Sequence, residues 1–399
     1  LLRERGLFRD PGMRHEIRDI AAALKVVPRH RRFLDAALAH LAAEGRIAPQ
    51  GEGVWQAVGG GSDAATAGAR SADVGAMGAE AALLDRCFDA LPDVLAGEVA
   101  ATEVLFPDGS PESIQSVYRG NPASDWFNAQ AASAVAARAQ AALDAGEETL
   151  RIVEIGAGSG GTTEAVLAVL TPFTGRLRLD YAFTDLSPGF VKAAARRFGD
   201  GRPWFSTRPL DIEKDPISQG FAPGTADLVL AANVLHATRR MARSLGHAAR
   251  LLRPRGWLVV NEAVAAEPFT TFTFGLLDGW WLAEDDQRLP HAPLLSADGW
   301  LGALADAGFG QARVLPGPAS EPAVDGMRVI VAESAGLALV ENVKREAAQT
   351  PVVRPAAAAP EARPTNPRIE DDRDRIAALE RRVIAEVATA VELPDAAFD

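Results

Sequence analysis

The chain has 399 residues, 48% of them hydrophobic and 24% charged, so it can bury a full core and is too long for one ordinary domain. Its formal net charge of -12 repels phosphate backbones, so we expect no nucleic-acid partner. A single cysteine, Cys87, excludes an internal disulfide framework and a metal site built from cysteines.

The first 147 residues are predicted to be mainly helical. Residues 1–57 show helical periodicity followed by a short hairpin signal, which predicts a winged-helix-like N-terminal subdomain. That shape often binds DNA, but the acidic chain favours packing or dimerisation. Residues 58–79 are rich in Gly, Ala and Ser and are predicted to be a flexible linker. Amphipathic helix signals resume over residues 80–147, which we expect to form a helical lid.

The segment 148–335 alternates short apolar runs with helical stretches, which is typical of βαβ units and a parallel sheet. The runs predicted to be strands are residues 150–155, 177–183, 228–232, 257–260 and 329–332. Residues 336–368 are predicted to be a Pro- and Ala-rich linker, and residues 369–399 contain one more amphipathic helix. Because the chain starts without Met and stops in mid-pattern, we expect it to be a piece of a longer protein.

A glycine-rich turn follows the first of these apolar runs. Gly156, Gly158 and Gly161 satisfy the pattern G-x-G-x-x-G and lead directly into a predicted helix. Glycines let the backbone approach a ligand closely at a helix N-terminus. Asp185 ends a second predicted strand, at the separation in sequence from the glycine turn that is expected of an acid that binds a ribose. Several nucleotide cofactors share this pattern, so it predicts a nucleotide site without naming the ligand.

Three features favour S-adenosylmethionine over a nicotinamide cofactor. Glu154 precedes the turn, where a carboxylate suits a cationic amino acid better than a pyrophosphate, and Asp211 and Ile212 offer an acid and an apolar contact for an adenine. The Tyr-x-x-x-Lys pair of a short-chain reductase is missing from this sequence. A nicotinamide enzyme and a purely structural turn are the alternatives. The predicted cofactor-binding residues are Glu154, Gly156, Ala157, Gly158, Gly161, Asp185, Leu186, Asp211, Ile212 and Asn233.

Polar residues follow two more of the predicted strands. Asn233 and His236 come after the run 228–232, and Glu262 comes after the run 257–260. If these strands are neighbours, His236 and Glu262 meet at the carboxyl edge of the sheet, where open α/β sheets bind ligands. A histidine held by a carboxylate is a general base, so His236, Glu262 and Asn233 are the predicted catalytic residues. The alternatives are a structural role for His236 and a helix cap at Asn233.

The ordered set of motifs resembles the C-methyltransferase domains of bacterial modular polyketide synthases over about residues 80–335. The motifs are the glycine turn 154–163, Tyr-Ala-Phe-Thr-Asp-Leu-Ser-Pro at 181–188, Leu-Asp-Ile-Glu at 210–213 followed by Gln-Gly-Phe at 219–221, Ala-Ala-Asn-Val-Leu-His-Ala-Thr at 231–238, Asn-Glu at 261–262 and Thr-Phe-Gly-Leu-Leu-Asp-Gly-Trp-Trp at 273–281. The resemblance implies an α/β fold of the class I S-adenosylmethionine-dependent methyltransferases. That fold is Rossmann-like, with a mainly parallel seven-stranded sheet and a helical N-terminal lid.

The resemblance also implies a substrate, a partner and further site residues. The substrate would be a β-ketoacyl chain on the phosphopantetheine arm of an acyl carrier protein. His236 would remove a proton from its α-carbon, Glu262 would orient the histidine, and S-adenosylhomocysteine would be released. Phe274, Trp280 and Trp281 would line an acyl tunnel, or else belong to the core. Tyr118 or Asn128 would contact the cofactor from the lid.

Residues 369–399 resemble the start of a truncated acyl carrier protein domain, so neighbouring synthase domains are expected partners. O-methylation of a β-hydroxyl on a carrier-bound chain is the nearest alternative reaction, and a silent structural domain is a further one. The six histidines are scattered without metal-ligand spacing, so we expect no metal. No run approaches the roughly 18 to 20 apolar residues of a membrane span, and no signal peptide is evident, so we expect a cytoplasmic protein without a membrane partner.

Overall fold

The structure, a computed structural model, describes residues 1–58, 78–107, 122–317 and 326–335. The described residues form two compact units: the first contains those within 1–125, 236–240 and 263–299, and the second contains those within 126–235, 241–262 and 300–335. Three predicted segments lie outside the described residues: almost all of the linker 58–79, and all of the linker 336–368 and the carrier-like segment 369–399. Tyr118 lies outside them as well.

The N-terminal part of the first unit combines short helices with a small antiparallel sheet. Its elements are β1 (Arg14–Glu16), α1 (Ile17–Ala23), α2 (Arg31–Ala43), β2 (Ile47–Pro49) and β3 (Val54–Ala57), with the strands in the order β1-β3-β2. Helices followed by the β2–β3 hairpin are the elements that a winged-helix-like subdomain needs. Their core contains Ile20, Leu34, Leu38 and Ile47, all buried.

The remaining elements, in chain order, are α3 (Gly78–Ala96), α4 (Ala101–Leu105), α5 (Pro122–Asp144), β4 (Thr149–Ile155), α6 (Gly161–Leu170), β5 (Arg178–Asp185), α7 (Pro188–Phe198), β6 (Phe205–Pro209), β7 (Ala226–Ala232), α8 (Met241–Leu251), β8 (Leu252–Ala263), α9 (Pro268–Phe272), α10 (Ala297–Asp306), β9 (Phe309–Val314) and β10 (Met327–Ser334). In the first unit, α2, α3, α4 and α9 pack around a second apolar cluster. Cys87 lies within this cluster, where burial raises the pKa of its thiol to about 11, so it packs as a small apolar side chain. None of the helices in the described ranges is long and apolar enough to cross a membrane.

A seven-stranded sheet forms the centre of the second unit, in the order β6-β5-β4-β7-β8-β10-β9. Strands β6, β5, β4, β7 and β8 pair in parallel, and β9 pairs with β10 in the antiparallel direction. Strand β7 is buried almost throughout, as its continuous apolar sequence requires of a central parallel strand. The five predicted runs fall in β4, β5, β7, β8 and β10, and the second run begins one residue before β5. Strands β6 and β9 are not among these runs, because polar residues interrupt the apolar pattern of both: Ser206, Thr207 and Arg208 in β6, and Gly310, Gln311 and Arg313 in β9.

The order of the strands reverses at β4, which lies between β5 and β7. An open parallel sheet binds its ligands outside the carboxyl ends of the strands at such a switch point. The register aligns Ile155 with Ala231 and Ala232 with Asn261, so β4, β7 and β8 end at the same edge. The chain leaving this edge is the glycine turn after β4 and the segment that begins at Asn233.

The opposite edge of the sheet is fixed by a buried ion pair network. Asp227, at the start of β7, is 3% exposed and accepts a hydrogen bond of 2.7 Å from the backbone N–H of Arg151. The guanidinium groups of Arg138 and Arg253 lie against the same carboxylate and also contact Glu147. A buried carboxylate is tolerated when cations and donors surround it, so the network fixes where β4 and β7 begin relative to each other.

Candidate active site

The glycine turn after β4 has a backbone that only glycine adopts without strain. Gly156 and Gly158 have φ angles of +59° and +54°, and Gly160, with φ of +80°, is the N-cap of α6. A Cβ atom on Gly156 would lie 2.2 Å from Cγ2 of Val234. The turn therefore packs directly against the segment that follows β7, and both stand at the carboxyl edge of the sheet.

Glu154, just before the glycine turn, is buried, with 1% of its surface exposed. Its Oε2 accepts hydrogen bonds of 2.6 Å from the hydroxyls of Thr163 and Tyr181. Its Oε1 is buried and has no hydrogen-bond partner among the described residues. Burial raises the pKa of the carboxyl to about 7, against the lowering effect of the two hydrogen bonds, and the charge of Asp185 raises it further. Glu154 thus holds one acceptor oxygen ready for a donor beside the turn.

Asp185, at the end of β5, binds the backbone of the glycine turn and the backbone of the segment that follows β5. Its Oδ2 accepts the N–H of Gly158 at 2.9 Å, and its Oδ1 accepts the N–H of Ser187 at 2.7 Å. Leu186, between these contacts in the sequence, is 68% exposed. Asp185 therefore shapes the glycine turn, and Leu186 offers an uncovered apolar surface next to it.

Asp211 and Ile212 lie just after β6, the outermost strand on this side. The N–H of Leu210 donates to the carbonyl of Asp185 at 3.1 Å, which joins this segment to the end of β5. The Asp211 carboxylate accepts the N–H of Glu213 at 3.0 Å and pairs with Lys214 at 3.0 Å. Ile212 is buried. Both residues stand at the predicted edge, and Asp211 organises a local turn there.

The segment after β7 begins with a strained residue. Asn233 has a φ of +49°, a region that asparagine tolerates better than most residues, and its N–H donates to the carbonyl of Asn261 at 2.8 Å. Glu262, in β8, is fully buried, and its Oε1 accepts the N–H groups of Val234 at 2.9 Å and Leu235 at 2.7 Å. One carboxylate therefore determines the path of the chain that leads into His236. The predicted contact between the His236 imidazole and Glu262 stays a prediction.

A network of side-chain hydrogen bonds joins β8 to helices α5 and α6. Asn128 accepts the hydroxyl of Thr162 at 2.7 Å, and the side-chain amide of Asn261 points to the same oxygen at 3.5 Å. The Oδ1 atom of Asn261 is buried and has no hydrogen-bond partner among the described residues. Asn128, expected to contact the cofactor from the lid, thus joins α5 to α6 and β8.

Within the first unit, His236 lies against aromatic side chains. It is 8% exposed, and its ring meets Trp280 edge to face at 5.7 Å between centroids. Phe274 stacks on Trp280 at 6.3 Å. Trp280 and Trp281 line a cavity of about 260 Å³, together with Arg288 and other residues of this unit. Of the three predicted substrate residues, two line this cavity and Phe274 supports one of them from behind.

Sequence reasoning missed two partners of the site. Tyr181 opens the motif 181–188, but no role was predicted for its hydroxyl; it is 1% exposed and donates to Glu154. A tyrosine inside an apolar strand needs a hydrogen-bond partner for its hydroxyl, and this was the available signal. Arg288, in an irregular segment without a motif, contacts the carbonyl oxygens of His236 and Thr238, and the sequence carries no signal for it.

Comparisons with known proteins show which family this chain resembles. The family model described as "Methyltransferase domain" matches residues 153–258. The polyketide synthase ThaG of Burkholderia thailandensis is 42% identical over 296 residues, which are 73% of this chain and 5% of ThaG. The solved DszA carbon methyltransferase is 35% identical with a TM-score of 0.74, covering 84% of this chain and 86% of that one. The trans-methyltransferase CalH, solved with S-adenosylhomocysteine, is 31% identical with a TM-score of 0.61, covering 77% of this chain and 84% of that one.

These findings confirm the predicted fold class, the predicted resemblance, the enzyme class and the cofactor class: an S-adenosylmethionine-dependent methyltransferase with a mostly parallel seven-stranded sheet. The chain spans only 5% of the length of ThaG. The individual site residues stay predictions.

Replacing Gly156 with alanine should damage both stability and cofactor binding. Gly175 is the matched control, because it also has a positive φ, of +85°, but an added Cβ there meets nothing within 4 Å. We expect Gly175→Ala to cost about 1–2 kcal/mol of unfolding free energy and Gly156→Ala to cost at least about 2 kcal/mol more. Urea unfolding and calorimetric titration with S-adenosylmethionine measure the two effects. Equal losses in the two variants would contradict close packing of the turn.

The burial of Glu154 predicts a pH-dependent stability. Its pKa is about 7 in the folded chain against an ordinary 4.5, so unfolding releases a proton between these values and the folded state loses stability as pH rises through them. Glu154→Gln removes this penalty. The unfolding free energy of the variant, relative to the unsubstituted chain, should therefore rise by about 2–3 kcal/mol from pH 5 to pH 8.

Urea unfolding at the two pH values measures this difference. The control is Glu148→Gln, since Glu148 is exposed just before β4. The unfolding free energy of Glu148→Gln should differ little from that of the unsubstituted chain at both pH values. If the difference in unfolding free energy between Glu154→Gln and the unsubstituted chain does not grow with pH, the raised pKa of Glu154 is refuted.

Proposed function

The chain belongs to the carbon methyltransferases of polyketide synthases, and we propose that it methylates the α-carbon of a β-ketoacyl chain. This chain is carried on the phosphopantetheine arm of an acyl carrier protein. The carrier protein and the neighbouring synthase domains are the proposed partners, and the cytoplasm is the proposed compartment.

One observation carries the proposal. The fully buried Glu262 accepts hydrogen bonds from the N–H groups of Val234 and Leu235, the two residues that precede His236. A carboxylate that binds two amides fixes the backbone that presents the histidine, and a well-placed histidine is the common general base of enzymes. Asn233, at the start of this segment, is proposed to contact the cofactor and the substrate carbonyl.

The residues around the glycine turn fit the methyl donor. Oε1 of Glu154 is a buried acceptor without a partner among the described residues, and it suits the ammonium group of a methionine. The glycines of the turn leave the backbone open to close approach, and Leu186 offers an apolar surface for an adenine. We assign Gly156, Ala157, Gly158, Gly161, Asp185, Asp211 and Ile212 to the same site, and Tyr118 to its cover.

When bound there, S-adenosylmethionine supplies a sulfonium methyl group, which becomes bonded to the α-carbon as its bond to sulfur breaks and S-adenosylhomocysteine is released. His236 removes the α-proton of the β-ketoacyl thioester, and the electron pair of that C–H bond passes into an enolate shared by the two carbonyl groups. Glu262 is the residue proposed to stabilise the imidazolium until His236 returns the proton to water. Holding the enolate and the methyl group in one orientation supplies much of the rate.

The aromatic residues beside His236 suit an acyl substrate. Trp280 contacts the imidazole edge to face and also lines the cavity of about 260 Å³, with Phe274 stacked behind it. Aromatic walls exclude water from an enolate and hold an acyl chain by apolar contact. Trp280, Trp281 and Phe274 are therefore the proposed substrate residues.

Intact mass spectrometry of carrier-bound substrates tests the reaction. The protein is incubated with S-adenosylmethionine and a β-ketoacyl carrier protein, and separately with its β-hydroxyacyl counterpart. We expect one methylene unit to be added to the ketoacyl substrate alone. His236→Gln should lower the rate about 10²–10⁴-fold, the usual contribution of a general base.

His15→Gln is the control, because His15 lies in β1 and contacts Phe8. It should leave the rate unchanged. Methylation of the hydroxyacyl substrate alone would instead assign O-methylation. An unchanged rate in His236→Gln would remove the proposed base.

A further inference from the structure

The side chain of Arg288 is only 5% exposed, and every N–H of its guanidinium donates a hydrogen bond within the first unit. Its Nε and one Nη donate to the two oxygens of Asp285, at 2.5 and 3.1 Å. The remaining donors reach three backbone carbonyl oxygens: His236 at 3.2 Å, Thr238 at 2.9 Å and Pro293 at 2.7 Å. An arginine has five N–H donors in a rigid plane, and here five hydrogen bonds account for them.

Two of these carbonyls flank Ala237 within the motif that carries His236. The segment is a short 3₁₀ turn, Leu235–Ala237, so its own backbone hydrogen bonds are few. Bonds from a charged donor to carbonyl oxygens are stronger than neutral ones, and the planar fork sets their direction as well as their length. Arg288 therefore holds the backbone on the C-terminal side of His236.

Asp285 completes the arrangement. Its bidentate contact fixes the plane of the guanidinium and balances its charge, so the pair contributes little net charge near the imidazole. Trp280 packs against the imidazole itself at 5.7 Å. In the first unit, His236 is thus restrained at its backbone by Arg288 and at its ring by Trp280.

We propose that Arg288, oriented by Asp285, is a positioning residue that sets the direction of the His236 imidazole for proton removal. Its catalytic part rests on the proposed function, whereas its effect on the backbone does not. Lysine cannot replace it, because an ammonium group has three donors and no planar fork with which to bind Asp285 and the carbonyls together.

The test compares Arg288→Lys with Arg240→Lys in the full chain. Arg240 is the matched control: it lies in the same motif region, but it is exposed and its ion pair with Glu284 is a surface contact. Hydrogen exchange of the amides of residues 236–240 reports the backbone. The kcat and KM for the β-ketoacyl carrier protein and the Kd for S-adenosylmethionine report the site.

We expect Arg288→Lys to speed exchange in residues 236–240 at least tenfold, while exchange in residues 154–163 stays unchanged. The kcat should fall about 10–100-fold, as for a misplaced catalytic group, with KM and the cofactor Kd within about twofold and Arg240→Lys unaffected. Unchanged exchange and kcat would overturn the proposal, and so would a uniform rise in exchange, which would mean a merely structural role.

If Arg288→Lys does not fold, Asp285→Asn is the second variant. It keeps the arginine and its carbonyl contacts but weakens the bidentate pair, so the same local changes should appear at smaller size, and their absence would overturn the proposal. Failure of the proposed function is distinguishable. In that case the unsubstituted protein transfers no methyl group, whereas the exchange result in residues 236–240 still decides whether Arg288 holds this backbone.

Discussion

A buried carboxylate at the end of β8 determines the geometry on which the proposed chemistry depends. Glu262 is fully buried, and it accepts two backbone N–H groups from the segment that follows the neighbouring strand β7. Removing a carboxylate from water costs several kcal/mol unless hydrogen bonds replace the lost hydration. Val234 and Leu235 provide that replacement, and in return the carboxylate holds their peptide groups in one orientation. Stability and the proposed catalytic geometry therefore depend on the same two hydrogen bonds.

The same segment also packs against the glycine turn, where the cofactor is proposed to bind. Val234 lies so near Gly156 that no side chain fits between them, and Asn233 adopts a positive φ to make the approach. The glycine turn in turn bonds to Asp185 through Gly158 and stands above the buried Glu154. Each strand end at this edge thus fixes the loop of a neighbouring strand.

Much of this arrangement could be predicted because it follows from periodicity and from the order of strands. The apolar runs placed Glu154, Asp185 and Glu262 at one edge, and the parallel pairing of β7 with β8 agrees with the expectation that these strands are neighbours. Other contacts could not be predicted, because they join residues far apart in sequence. The hydroxyl of Tyr181 meets Glu154 only through the register of β4 and β5, and Arg288 reaches His236 from an irregular segment with no motif. The fold therefore follows from local patterns, whereas the partners of each functional group follow from packing.

Proton exchange at the substrate tests whether His236 is the base, because it isolates deprotonation from methyl transfer. A β-ketoacyl carrier protein is incubated in D₂O with the protein and S-adenosylhomocysteine, and deuterium entering the α-carbon is followed by mass spectrometry. We expect exchange well above the buffer rate, a return to that rate in His236→Gln, and an intermediate rate in Glu262→Gln. Exchange in His236→Gln as fast as in the unsubstituted protein would contradict this role of His236.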